Sequence, residues 1–191
     1  MHRQPFLTLL NQYVPCDERD TVCRQRFVEF VQSHSDCFER SLAVGHITGS
    51  AWLLNPTGCK VLLTHHRKLD CWLQVGGHAD GEKNVLDVAL REAQEESGIN
   101  AISVVDSSIF DLDIHTIPPH KNVPAHEHFD VRFLLQANCD KLTVSDESHD
   151  LGWFDASELE KMDLDHSIYR MRRKWLQRAP SQTTNSTAGK S

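Results

Sequence analysis

The stretch Gly77–Ile99, GHADGEKNVLDVALREAQEESGI, joins a glycine, a helix-forming segment and a run of carboxylates. Glu92, Glu95 and Glu96 fall within five residues, so in a helix they share one face. Like charges at this spacing repel one another, and a divalent cation such as Mg²⁺ or Mn²⁺ removes that penalty by binding their oxygens. The stretch therefore predicts a helix that carries a metal–carboxylate site suited to phosphate chemistry.

The pattern within this stretch also predicts where its helix begins and ends. Asn84 is a suitable N-cap, and Gly98 can adopt the left-handed conformation that stops a helix. Helical spacing assigns the apolar face to Leu86, Ala89, Leu90 and Ala93.

Apolar runs and turn residues on both sides of this helix predict strands. Ser50–Leu54 and Lys60–Thr64 bracket the turn residues 55–58, which indicates a hairpin. Further strands and then helices are expected at 101–112, 128–136, 153–154, 156–162 and 166–178. Strands around a central helix, with more helices at both ends, predict an α/β (α+β) domain.

The two ends of the chain differ from this middle region. Residues 1–40 are predicted to form an N-terminal helical extension in which Asp17 caps a helix, and 41–178 to form the main domain. We expect the extension to pack on that domain; substrate capping or homodimer formation is the alternative. The tail, residues 179–191, has no apolar periodicity and is predicted to be disordered.

Charge and cysteine usage restrict the partners and the compartment. The 191-residue chain has a net charge of −7, which argues against nucleic acid as the main partner but not against a small phosphorylated substrate. Its six cysteines form no CxxC pair, and no apolar run reaches membrane length, so we expect a cytoplasmic protein without a membrane partner. The basic residues of 170–178 are expected to form a solvent-exposed face.

The carboxylate helix resembles a known motif. Arg91–Ile99, REAQEESGI, resembles the second half of a Nudix box, and Trp72–Gly77 resembles the Trp…Gly-Gly run that precedes it. The resemblance covers about residues 45–165 and implies a Nudix-type α/β/α sandwich with a mixed β-sheet and a hydrolase activity. One position departs from the motif: its first glutamate is expected at 83, where the chain has lysine, and Glu82 lies one residue early.

The residues of the box have separable chemical roles. Glu92, Glu95 and Glu96, with the carbonyl of Gly77, are the predicted metal ligands. Arg91 lies four residues before Glu95 and is expected to hold that carboxylate in place. The base that activates the attacking water is either Glu92 or Glu147, which lies in a later loop, and the sequence does not choose between them.

Histidines are unusually frequent, with twelve in the chain. If 126–133 is a strand, His126, His128 and Asp130 share one face and are predicted to border the substrate pocket. His78, next to the box, is expected to meet substrate as well. His115 and His120 lie in or beside a proline-rich stretch, 115–126, that suits a specificity lid.

Together these features predict a divalent-metal-dependent hydrolase that cleaves a phosphoanhydride bond in a nucleoside diphosphate linked to another moiety. A non-catalytic binding module on the same fold is one alternative, suggested by the displaced Glu82. An isomerase of the isopentenyl diphosphate type is another, suggested by Cys71 near His78. Nucleoside triphosphates, nucleotide sugars, ADP-ribose, dinucleotides and dinucleoside polyphosphates all remain open as substrates.

Overall fold

We describe residues 2–67, 70–120, 123–143 and 148–178 of a computed structural model of the chain. The predicted base Glu147 and the predicted disordered tail at 179–191 lie outside the described residues. The helices are α1 (Gln4–Gln12), α2 (Glu18–Ser33), α3 (Val85–Ser97), α4 (Ala156–Lys161) and α5 (His166–Arg178). The strands are β1 (Gly45–Leu54), β2 (Lys60–His66), β3 (Cys71–Leu73), β4 (Val75–His78), β5 (Ile102–Ile117), β6 (His126–Ala137) and β7 (Ser148–Asp155).

The seven strands form one mixed sheet in which β1 is central. Along the sheet the order is β3-β2-β1-β6-β5, with β4 paired to β1 and β7 paired to β2. β1 runs parallel to β6, with Gly45 opposite Glu127 and Leu54 opposite Gln136, and antiparallel to β4 and β2. The predicted mixed sheet and the predicted β1–β2 hairpin are thereby confirmed.

Alternating side chains of the sheet pack against helices on both faces. Ile47, Ala51 and Leu53 of β1 belong to the core that α1, α2 and α3 cover. On the other face, Trp52 packs with α4 and α5 and is fully buried beside Trp175. The domain is therefore a three-layered α/β/α sandwich, as the sequence predicts. None of the helices in the described ranges combines the length and apolar content that a membrane crossing requires.

Helix α2 packs on the sheet, as expected for the N-terminal extension. Asp17 caps it by accepting a hydrogen bond from the Asp20 backbone N–H at 2.7 Å. Phe27 meets Phe129 of β6 edge-on at 5.3 Å between ring centroids, and Phe30 stacks on the same ring at 3.8 Å. The extension thus shares a continuous core with the sheet.

Helix α3 begins after Asn84 and ends at Gly98, which has a φ of 71°, as predicted. Two details differ from the prediction. The Asn84 side chain bonds the Asp87 carboxylate at 2.6 Å instead of a backbone N–H of the helix. The fully buried face also includes three residues absent from the predicted face. The helix turns the side of Val85 and Val88 onto Gly49 of β1. The buried residues are Val85, Val88, Ala89, Ala93 and Ser97.

The prediction that the basic residues of α5 form one solvent-exposed face is wrong for two of them. Arg170 is buried and pairs with Asp111 and Asp113 of β5 at 2.8 Å. Lys174 lies 2.6 Å from Asp20 of α2 and 2.7 Å from Asp111. The carboxylates that neutralise these cations are distant in sequence, so the local charge pattern carried no sign of the pairing. These ion pairs join α5, α2 and the sheet.

Asp20 is ionised in this cluster despite its burial. Burial alone raises the pKa of its carboxyl, but hydrogen bonds from Lys174, Tyr13 and Cys16 outweigh that effect and hold the pKa well below its usual range. A carboxyl whose pKa falls on folding stabilises the protein above its unfolded pKa of about 3.9. That stabilisation is lost as the pH falls through the lower pKa of the folded state.

We expect Lys174→Met to lower the free energy of unfolding at pH 7 by about 3–5 kcal/mol, because it leaves Asp20 and Asp111 buried without their shared cation. Lys161→Met, at an exposed position on α4, is the matched control and should change stability by no more than about 0.5 kcal/mol. Urea unfolding followed by tryptophan fluorescence measures both. The deficit of Lys174→Met should narrow below about pH 3.9, and a variant as stable as Lys161→Met at pH 7 would contradict the account.

Candidate functional site

Two glycines of β4 allow the carboxylates of α3 to approach the sheet. The backbone N–H of Gly76 donates to Glu96 Oε1 at 2.7 Å. A methyl group on Gly77 would overlap the Glu92 carboxylate, and one on Gly76 would lie 2.7 Å from the Ser50 Cα atom of β1. Only glycine fits at either position without displacing a neighbour, so the glycine pair sets how closely Glu92 and Glu96 lie to the backbone of β4.

Arg91 connects the Glu92 carboxylate to the end of β4. Its Nη1 atom lies 2.9 Å from Glu92 Oε1 and 4.0 Å from Glu95 Oε2, and its Nη2 atom donates to the His78 carbonyl at 3.3 Å. The predicted contact with Glu95 is thus the longer of two ion pairs. Arg91 therefore orients mainly Glu92. The Glu95 side chain, at the longer distance, is 62% exposed.

The residues present suit a divalent cation. Glu92 and Glu96 are half-buried against β4, and backbone carbonyls and carboxylates are the oxygen ligands that Mg²⁺ and Mn²⁺ prefer. Arg91 already compensates part of the charge of Glu92, and a bound divalent cation would add ligand bonds to the carboxylates. The assignment of Glu92, Glu95, Glu96 and Gly77 as metal ligands stays a prediction that this arrangement favours.

Glu82, the displaced glutamate of the box, lies at the beginning of α3. Its carboxylate accepts hydrogen bonds from the backbone N–H groups of Lys83 and Asn84, at 2.7 and 2.9 Å. The bond from Asn84 and then that from Lys83 lower the pKa of this exposed carboxyl. Glu82 thus satisfies the free N–H groups before the helix.

Histidines gather on one face of the sheet where β4, β1, β6 and β5 lie side by side. His46 of β1 is in register with His128 of β6, which is in register with His115 of β5. His78 of β4 lies opposite Thr48, two residues along β1 from His46 and on the same face. Ring nitrogens of His46, His78 and His128 all lie within 4.8 Å of one another. We call these three residues the histidine cluster.

His46 is not among the site residues predicted from the sequence. The signal was available: polar His46, Thr48 and Ser50 alternate with Ile47, Gly49 and Ala51, the pattern of a strand with one apolar face. What the sequence could not show is the parallel pairing of β1 with β6, which sets His46 beside His128.

The histidine cluster is largely shielded from solvent. Burial, and after it the charge of the neighbouring His78, lower the pKa of His46 to about 4 and that of His128 to about 2. Both rings are therefore neutral at physiological pH. Neither ring nitrogen of His46, nor Nε2 of His128, has a hydrogen-bond partner among the described residues.

Two further histidines flank the cluster with one nitrogen engaged. His126 Nδ1 lies 2.9 Å from the Pro124 carbonyl oxygen, and His115 Nδ1 lies 3.3 Å from Asp113 Oδ2. His120 lies outside the cluster, in the segment between β5 and β6, where it bridges to Val123. The predicted substrate contact of His126 and the predicted lid stay untested predictions.

Asp130 shares the strand face of His126 and His128, as predicted, but faces other side chains. It is buried, and it accepts hydrogen bonds from Thr48 at 2.9 Å, Ser50 at 2.7 Å, Gln74 at 3.1 Å and Arg132 at 2.7 Å. These four donors occupy both oxygens, so Asp130 ties β6 to β1 and to Gln74, the residue between β3 and β4. Its contact with substrate stays a prediction.

Cys71, which suggested an isomerase, lies in β3 and is partly buried. Burial raises the pKa of its thiol, and the charges of Asp165 and Asp70 raise it further. A nucleophilic cysteine has its pKa lowered by nearby positive charge, which is the opposite situation. The raised pKa of Cys71 therefore does not favour a thiolate nucleophile there.

Comparison with known proteins agrees with this arrangement. A family model described as the NUDIX domain matches residues 46–177, and the chain belongs to that family. Nudix hydrolases generally use divalent metals.

Solved structures share the fold. MutT protein from Methanosarcina mazei Go1 is 17% identical, with a TM-score of 0.57 over 71% of this chain and 96% of that one. A NUDIX family hydrolase from Clostridium perfringens is 23% identical, with a TM-score of 0.52 over 69% of this chain and 96% of that one.

One curated relative is similar in sequence. The m7GpppN-mRNA hydrolase NUDT17 of Xenopus laevis is 32% identical over an alignment of 97 residues. The alignment covers 47% of this chain and 32% of that protein. The matched region thus spans about a third of the length of that relative.

The two glycines should respond differently to substitution by alanine. In Gly77→Ala the new methyl group meets only the flexible end of Glu92, so we expect a stability change within about 0.5 kcal/mol but at least tenfold weaker Mn²⁺ binding. In Gly76→Ala the methyl meets the Ser50 backbone, so we expect a loss of about 1–3 kcal/mol.

Thermal unfolding and calorimetric Mn²⁺ titration test both substitutions. Gly58→Asn in the β1–β2 turn is the control, since Asn tolerates its positive φ of 72° and the nearest atom to an added Cβ is 3.7 Å away. Wild-type Mn²⁺ affinity in Gly77→Ala would show that the Glu92 carboxylate takes no part in the site.

Proposed function

We propose that this protein is a divalent-metal-dependent hydrolase that cleaves a phosphoanhydride bond in a nucleoside diphosphate linked to another moiety. The observation that carries the proposal is the approach of Glu92 and Glu96 to Gly76 and Gly77, which gathers oxygen ligands at the end of β4. Membership of the NUDIX family supports it.

In this proposal Glu92, Glu95, Glu96 and the Gly77 carbonyl hold Mg²⁺ or Mn²⁺. When bound, the cation neutralises the diphosphate and acidifies a water molecule. The protein's own residues fix the geometry: the Gly76 N–H orients Glu96 and Arg91 orients Glu92. Arg91 is a positioning residue, because its guanidinium contacts Glu92 and the His78 carbonyl.

Attack on the phosphoanhydride requires a base that takes a proton from water. Glu92 and Glu147 are the two candidates that the sequence offers. Glu92 is held by Arg91 at 2.9 Å. Both a metal ligand and a general base need an ionised carboxylate, so both candidates stay open and separate variants distinguish them.

The candidate substrates follow from chemistry common to the family, and one relative adds a further compound class to them. The Xenopus protein is named for hydrolysis of m7GpppN-mRNA, in which two nucleosides flank a polyphosphate. Dinucleoside polyphosphates and cap analogues therefore join ADP-ribose, nucleotide sugars and nucleoside triphosphates in the panel to be assayed.

Glu96→Gln should lower kcat/KM for any hydrolysed member of the panel at least tenfold, because it removes a charged oxygen that Gly76 orients. Substitution of the base, by Glu92→Gln or Glu147→Gln, should lower kcat by about 10²–10⁴-fold. Product release with Mg²⁺ and with Mn²⁺, followed by chromatography of the nucleotides, measures each rate.

Glu160→Gln on α4 is the matched control for these substitutions, because that exposed carboxylate pairs with Arg172 at 2.9 Å. Its activity should equal that of the wild type. Unchanged hydrolysis in Glu96→Gln would refute the site. No turnover of any panel member with either metal, by protein that still binds nucleotides, would instead favour the non-catalytic binding module.

A further inference from the structure

We propose that His46, His78 and His128 form a second metal site, distinct from the carboxylates of α3, which binds one transition-metal ion of the Zn²⁺ class. Its ligands are imidazoles instead of carboxylates, so the proposal does not depend on the proposed hydrolase function. It lies on the face of the sheet where β4, β1 and β6 meet.

The geometry of the three rings suits one ion. Their ligand nitrogens lie within 4.8 Å of one another, and the ring centroids are 4.8–5.0 Å apart. In a tetrahedral site with metal–nitrogen bonds of about 2.0–2.1 Å, ligand nitrogens are about 3.4 Å apart. The paired strands already hold the backbones of the three histidines side by side. Small rotations of the imidazole rings would then bring the ligand nitrogens to this separation.

Burial of polar atoms is the second observation. Only 2% of His46 is exposed, and both of its ring nitrogens lack a hydrogen-bond partner among the described residues, as does Nε2 of His128. A buried polar atom without a partner costs about 1–3 kcal/mol, so proteins rarely retain several together. A metal ion bonded to one nitrogen of each ring would give His128 Nε2 and one of the two His46 nitrogens a partner.

The chemistry of the donors selects the class of ion. Neutral imidazole suits Zn²⁺, Cu²⁺, Fe²⁺ and Ni²⁺, whereas Mg²⁺ requires oxygen ligands. Three protein ligands also leave the fourth position of a tetrahedron for water or a substrate oxygen.

The cluster adjoins the proposed catalytic carboxylates through the backbone. His78 directly follows Gly77, and its carbonyl accepts a hydrogen bond from Arg91 at 3.3 Å. Ile47 and Gly49 of β1 face α3, whereas the alternating His46 faces the opposite side of the sheet. An ion held by the histidines would therefore lie across the sheet from the carboxylates of α3.

Cobalt spectroscopy on the full chain tests the site without relying on activity. After removal of metals by a chelator, Co²⁺ is titrated in excess Mg²⁺, which occupies carboxylate sites. We expect one equivalent of Co²⁺ to give the intense visible d–d absorption of a low-coordinate nitrogen site, and one equivalent of Zn²⁺ to abolish it. His46→Gln and His128→Gln should each weaken Co²⁺ binding at least tenfold.

Three controls make the outcome decisive. His166→Gln, at an exposed position at the beginning of α5, should bind Co²⁺ like the wild type. The double variant Glu92→Gln/Glu96→Gln should retain the absorption, which separates this site from the proposed hydrolase centre. Thermal unfolding in excess chelator confirms that each variant folds, and His78→Gln, at a less buried position, replaces any that does not.

Two results would overturn the proposal. One is the absence of stoichiometric Co²⁺ or Zn²⁺ binding by the wild-type chain. The other is Co²⁺ absorption that survives in the histidine variants but disappears in Glu92→Gln/Glu96→Gln, which would assign the ion to the carboxylates.

Discussion

The close approach of α3 to β4 is the constraint on which the candidate site depends. Without side chains at Gly76 and Gly77, the backbone of β4 reaches the carboxylates of Glu92 and Glu96, and its Gly76 N–H orients one of them. Antiparallel pairing of β4 with β1 and the contact of Val88 with Gly49 fix the two elements that meet there. The sandwich core therefore positions the acidic side chains before any cation binds.

The face of the sheet beneath α5 is divided into three zones along β1 and β6. Histidines occupy the end near β4, an ion-pair network occupies the middle, and Trp52 and Leu134 pack with Trp175 at the far end. Asp130 belongs to the middle zone and Arg132 joins it to Asp111 and Asp113. The proposed histidine site lies on this face, whereas the carboxylates of α3 lie on the opposite face of the sheet. The ion-pair network ties α2 and α5 to the sheet.

Local patterns predicted the elements well, because turn residues, caps and apolar periodicity act over a few positions. The hairpin after β1, the stop of α3 at Gly98 and the packing of α2 were all foreseen from such signals. Contacts between distant segments were not: burial of Lys174 beside Asp20 and the meeting of His46 with His128 follow from tertiary pairing. The carboxylates of α3 were recognised because a helix brings them together within one short segment.

The measurement that tests the central claim most directly is anomalous diffraction from crystals grown with Mn²⁺ and a non-hydrolysable polyphosphate. The account predicts an anomalous peak between carboxylate oxygens of Glu92 and Glu96, within coordination distance of the Gly77 carbonyl. Crystals saturated with Mn²⁺ that show no peak there, with the two side chains directed apart, would contradict it.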